Sequence, residues 1–205
     1  MNIYLIRHGE TNWNIEWRLQ GQTDVPLNET GLQQAKEAAK RLKEIPFDGI
    51  YSSPLQRAKD TACTIASLHQ EVVVQTDERL KEFGFGAHEG TTPENDPDKE
   101  DRRILFKTPE KYVPKGDAES YDDLKNRAES FLNDLVKTGK ENVLVVAHGA
   151  LCKGLIWVML QSKLEDFWKM PLMENCKELK IKWQEGRFQL PAEFEAFRPS
   201  TVCNC

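Results

Sequence analysis

Asn142-Val143-Leu144-Val145-Val146-Ala147-His148-Gly149 is the stretch whose reading decides the fold. An unbroken apolar run this short, bounded by polar residues, reads as a strand buried on both faces, and such strands belong to parallel sheets covered by helices. The N-terminus repeats the pattern: Asn2-Ile3-Tyr4-Leu5-Ile6 runs into Arg7-His8-Gly9. Between these ends, Leu32, Ala35, Ala38, Ala39, Leu42 and Ile45 recur at helical spacing, with Asn28 or Thr30 as N-cap. Phe47 to Tyr51 reads as a second strand closed by Ser52-Ser53-Pro54. A helix follows to about His69, with Pro54 near its first turn and Leu55, Ala58, Ala62, Ile65 and Ala66 on one face. Val72 to Val74 reads as a third strand. Tyr121, Leu124, Ala128, Phe131, Leu132 and Leu135 mark another helix, stopped by Gly139, and Ala150 to Leu160 a further one.

Near the end, Leu179, Ile181 and Trp183 alternate with polar residues, and Glu185-Gly186 turns that half-exposed strand into Phe188 to Leu190. Strands alternating with helices predict a three-layer α/β/α domain with a mostly parallel central sheet and an antiparallel edge strand. It is expected to span residues 1–190, with a lid insertion over 83–117 and a loosely held tail over 191–205. The insertion is set apart by prolines, many charges and little periodicity, the mark of a functional loop within a compact domain.

The composition fits one globular domain. The chain has 205 residues, 39% of them apolar, and 28 basic against 33 acidic side chains give a net charge of −5. That balance argues against a nucleic-acid binder, which needs a basic face for phosphates. The longest apolar run, Leu155 to Leu160, is far short of the roughly 20 residues a bilayer needs, and no basic segment precedes the first strand as in a signal peptide. Five cysteines without CxxC spacing suit a reducing cytoplasm. Cys63 and Cys152 read as buried thiols, and Cys203-Asn204-Cys205 as a tail that could at most bind metal adventitiously. Trp157, Trp168 and Trp183 read as core, with a homodimer face as the alternative.

In open α/β sheets ligands gather beyond the carboxyl ends of the strands, where His8 and His148 fall. Arg7 and Glu10 stand beside His8, and Arg57 lies in the first turns of the helix after the second strand. Two guanidiniums and two imidazoles suit a phosphoryl group: arginine binds its oxygens in pairs and keeps its charge, and a neutral imidazole is a competent nucleophile. Glu82, at the mouth of the insertion, is the candidate proton donor for a leaving alcohol. Each residue alone has a plainer reading: a satisfied polar pair, a solvated helix charge, a surface carboxylate. His69 reads as a surface or capping residue, and His88 fits no role.

Taken together, these segments resemble the histidine phosphatase superfamily, also called the phosphoglycerate mutase-like family. The resemblance is carried by Leu5-Ile6-Arg7-His8-Gly9-Glu10-Thr11 with Trp13-Asn14, by Gln20 to Asn28 with Gly31, and by Tyr51 to Ala58 with Thr61-Ala62. Leu80-Lys81-Glu82-Phe83-Gly84 with Glu89-Gly90, and Val145-Val146-Ala147-His148-Gly149, complete it. The resemblance implies that His8 becomes phosphohistidine and that Arg7, Arg57 and His148 hold the phosphoryl oxygens. It implies that Glu82 protonates the leaving oxygen and then activates water, and that Asn14, Gln20, Gly21 and Gly149 line the substrate pocket. It implies no metal and no cofactor, and a small phosphate ester as partner. Phe83-Gly84-Phe85-Gly86 after Glu82, and Pro114 to Ser120 with Arg127, are similar to the phosphatase branch that includes α-ribazole phosphatase-like proteins; mutases carry Arg and Tyr after the acid and a longer insertion. The expected function is therefore metal-independent phosphomonoester hydrolysis, with a mutase-type phosphotransferase or a non-catalytic phospho-ligand binder as alternatives. His88 replaces the branch's frequent Trp, and Arg102 and Arg103 read either as a solvated charge run or as a contact to a second anionic group.

Overall fold

The computed structural model describes residues 1–69 and 72–199; the Cys203-Asn204-Cys205 tail lies outside them. Among the described residues six strands form one sheet in the order β3-β2-β4-β1-β5-β6. They are β1 (Asn2–Arg7), β2 (Gly49–Ser52), β3 (Val74–Thr76), β4 (Asn142–Ala147), β5 (Glu178–Gln184) and β6 (Arg187–Gln189). The first four are mutually parallel, and β5 and β6 add an antiparallel edge pair. The helices are α1 (Asn12–Ile15), α2 (Glu29–Leu42), α3 (Gln56–Ala66), α4 (Lys99–Lys107), α5 (Tyr121–Lys137), α6 (Gly149–Leu160) and α7 (Ala192–Glu195).

Alternation along the central strands divides the core. Tyr4, Ile6, Leu144 and Val146 face α2 and α3 on one side of the sheet. Ile3, Leu5, Val143 and Val145 face α5 and α6 on the other. The sequence therefore specifies three layers through the two-residue period of β1 and β4. Asn28 caps α2 by accepting from the Gly31 backbone, worth about 1 kcal/mol. Helix α6 is buried along almost its whole length, so its apolar residues run all round it.

Several elements differ from the expectations. Strand β3 sits two residues later than Val72 to Val74, because an edge strand is fixed by pairing with β2 and needs no apolar run. Helix α3 starts after Leu55, and the Gln56 N–H finds its cap on the distant Asp24 carboxylate at 2.8 Å. The insertion contains α4, whose only buried residues are Asp101 and Leu105, too few to register as an apolar period. Cys63 is exposed on the outer face of α3, whereas Cys152 is buried. His69 packs its ring edge-on against Phe47 at 4.9 Å instead of standing free. Trp157 is core, and Trp168 and Trp183 are half-buried. The first residues of the expected tail are docked: Phe194 is buried in the main core, and Arg198 donates to the Phe188 and Met159 carbonyls.

Candidate active site

The site stands where β1 and β4 end side by side. Their register pairs Arg7 with Ala147, and the His8 N–H donates to the Ala147 carbonyl at 2.9 Å, so each strand delivers its histidine to the same point. The His8 and His148 rings lie 5.1 Å apart, both almost fully buried. After β1 the chain crosses one face of the sheet through α2 to β2, and after β4 it crosses the other face through α6 to β5, making this the sheet's switch point.

His8 is held in one tautomer. Its Nδ1 lies 2.7 Å from the Gly9 carbonyl, which can only accept, so Nδ1 carries the proton and Nε2 keeps its lone pair. Burial, and then the Arg57 and Arg7 guanidiniums, hold its pKa well below the ordinary imidazole value. Burial and the Arg57 charge do the same to His148, whose two ring nitrogens have no protein partner. Arg57 is entirely buried; its terminal nitrogens donate to the Gly21 and Thr23 carbonyls at 2.7 and 2.8 Å, leaving Nε unpartnered. Burial lowers its pKa to about 10, so it is still a cation at neutral pH. Arg7 donates to the Met173 carbonyl, and its Nε is likewise unpartnered. Unpartnered buried donors gathered at one point are costly unless a ligand satisfies them, and a phosphoryl dianion suits this set.

Glu82 sits at the N-terminus of α6. Its carboxylate accepts from the Phe83, Ala150 and Leu151 N–H groups at 2.9, 3.1 and 2.9 Å. The helix end that favours this carboxylate also favours an incoming anion. A cleft of about 810 Å³ opens from here, lined by Arg7, His8, Asn14, Gln20, Glu82 and Gly149 among others. Gln20 is buried and its Oε1 has no partner. Gly21 holds Arg57 through its carbonyl and, like Arg57 and His148, lies behind the residues that line the cleft. Its φ of +53° and the 1.9 Å that would separate an added Cβ from Glu89 Oε1 leave no room for a side chain.

Three placements had no role assigned from the sequence. Asn175 donates to the His8 carbonyl at 2.7 Å from the segment before β5. Glu89 accepts from Gln22 N and Phe85 N with Oε1, and from Thr23 N and Thr23 Oγ1 with Oε2. Arg127 on α5 donates to the carbonyls of Arg79, Lys81 and Glu82 and pairs with Glu119, which in turn accepts from Gly84 N. These bonds clamp the segment bearing Glu82. In the sequence, Glu119 and Arg127 stood only as part of the family resemblance, eight residues apart.

Of the remaining candidates, Arg102 reaches the cleft wall, but Arg103 points away and pairs with Glu100 on the surface. His88 is a buried brace of the insertion, with Nδ1 at 2.9 Å from Asp96 and Nε2 at 2.9 Å from Asp101. Among the described residues there is no group of three His, Cys, Asp or Glu able to hold a metal, and no helix long and apolar enough to cross a membrane.

The family model of the histidine phosphatase superfamily (branch 1) matches residues 3–194. The chain belongs to that superfamily. It is 40% identical over 159 residues to the metal-independent phosphoserine phosphatase of Arabidopsis thaliana, covering 75% of this chain and 66% of that longer one. It is 36% identical over 190 residues to a GpmB protein of Proteus mirabilis named for phosphoglycerate mutase activity, covering 91% and 86%. Among solved structures, YhfR from Bacillus stearothermophilus superposes with a TM-score of 0.86 at 32% identity, over 93% of this chain and 95% of that one. A phosphoserine phosphatase mutant from Entamoeba histolytica, in complex with phosphoserine, superposes with a TM-score of 0.82 at 33% identity, over 93% and 95%. The fold of this histidine phosphatase family member is thus the family's own, and the chain is a phosphomonoesterase of that type.

Proposed function

We propose that the chain hydrolyses small phosphate monoesters without a metal, through a phosphohistidine at Nε2 of His8. One observation carries this reading: His8 presents an unprotonated Nε2 among the unpartnered donors of Arg7, Arg57 and His148. The substrate phosphoryl group sits among those donors, and Nε2 attacks phosphorus as the ester oxygen departs. Glu82 gives that oxygen a proton, so an alcohol leaves and the carboxylate remains. Water then gives a proton back to Glu82 and attacks phosphorus, the P–N bond breaks, and inorganic phosphate is released with Glu82 ready to donate again. Arg7, Arg57 and His148 stabilise charge spreading over the equatorial oxygens throughout.

The likeness to a GpmB protein supports a second reading, in which the phosphoryl group passes to another hydroxyl instead of water. The free buried thiols of Cys152 and Cys176 fit a reducing compartment such as the cytoplasm. The deciding experiment is phosphate release from an activated aryl phosphate in excess chelator. Turnover by the parent that disappears in His8→Ala, with an acid-labile phosphoryl group trapped on the parent, is the expected result. Turnover retained by His8→Ala overturns the mechanism, and phosphate exchange without release moves the assignment to the transferase.

A further inference from the structure

We infer that the outer half of the cleft is a subsite for a flat, uncharged, apolar leaving group, with Trp17 as its cover; this rests on the hydrolase reading and adds the substrate class. Trp13, Ile15 and Trp17 form one wall, facing the cleft together with Phe106, Trp168 and Leu172. Ile15, Trp17 and Leu172 are 59%, 81% and 57% exposed, and all three ring this one opening. Apolar surface concentrated at the mouth of a cleft marks a ligand contact.

Trp17 adds an independent observation. Its φ of +57° is left-handed, a region that bulky side chains avoid. The conformation is fixed from both sides: Trp17 N donates to Asn14 O, Arg18 N to Trp13 O, and Leu19 N to Thr91 O. Arg18 Nη1 also donates to the Gly90 carbonyl. A strained backbone that nevertheless presents an indole to water clusters with ligand-holding positions.

Charge on the same walls is already matched. Arg18 pairs with Glu16 at 2.5 Å. Arg102 pairs with the buried Asp96 at 2.9 Å and lies over the Phe106 ring at 5.5 Å. Glu10, also on the lining, accepts from Asn28 at 3.0 Å and adds negative charge. A leaving group carrying a carboxylate therefore meets arginines that each face a carboxylate already, whereas an apolar ring displaces water and stacks.

The test compares two phosphate esters of primary alcohols, 2-naphthylmethyl phosphate and phosphoserine, so that the bond broken is alike. The naphthylmethyl ester should be preferred by about tenfold or more in kcat/KM. Trp17→Ala should raise KM for that ester by about fivefold and leave KM for phosphoserine unchanged. Preference for phosphoserine, or equal losses on both esters in Trp17→Ala, overturns the inference alone, provided an aryl phosphate is still hydrolysed. If folded parent protein hydrolyses none of the three, the hydrolase reading falls and takes the inference with it.

Discussion

At the scale of the residue, the decisive atom is the Gly9 carbonyl oxygen that fixes the His8 tautomer. Because burial and two guanidiniums hold His8 and His148 neutral, the unfolded chain binds protons there that the folded chain does not. Stability should therefore fall as pH drops below about 6.5, by up to ~1.4 kcal/mol per pH unit for each histidine, until the folded value is reached. Denaturant midpoints measured between neutral and acid pH check this, and His148→Gln should flatten the slope. Glu82→Gln should slow esters with poor leaving groups by about 10²-fold or more while sparing aryl phosphates; equal losses on both would remove its role as the acid. Trp17→Gly should raise stability by about 1 kcal/mol by relieving the left-handed backbone, since little packing is lost at so exposed a site. Both histidines were legible in the sequence because each ends an apolar run. The tautomer was not, for it depends on a carbonyl whose direction no residue type encodes.

At the scale of the element, the clamp from α5 matters most. Arg127 and Glu119 are largely buried, with 16% and 11% of their side chains exposed, and they tie the carbonyls of Arg79, Lys81 and Glu82 and the Gly84 N–H around the acid. Arg127→Ala strands the Glu119 carboxylate and those carbonyls, costing about 2–4 kcal/mol by thermal or denaturant unfolding. Among molecules that still fold, turnover of alkyl phosphates should drop far more than that of aryl phosphates, because the acid is displaced while the nucleophile is not. The long helices were readable from their apolar stripes. Helix α4 was not, since it buries only Leu105 and Asp101, too few for an apolar stripe. The rest of its anchoring is a polar network, Asp101 with His88 and Arg102 with Asp96, that has no sequence period.

At the scale of the whole molecule, the order of strands could be read only in part. Apolar runs announce that β1 and β4 are central, but their adjacency across some 140 residues is a matter of pairing, seen in the register of Asn2 with Asn142. The carboxyl end was read as loose because its apolar residues are sparse, yet Phe194 is 3% exposed and Arg198 binds carbonyls of two other elements. Phe194→Ala should cost about 3–4 kcal/mol, measured as a shift in denaturant midpoint with an unchanged slope. A shift near zero would restore the picture of a detachable tail.

The double reach of Glu89 has an evolutionary consequence. One carboxylate fastens the 22–23 backbone, whose neighbouring carbonyls orient Arg57, and also fastens Phe85 beside the acid. The insertion is therefore no interchangeable cassette. A graft that swaps it between relatives to transfer specificity has to carry a carboxylate at this position, or the recipient forfeits its grip on phosphate along with its old substrate.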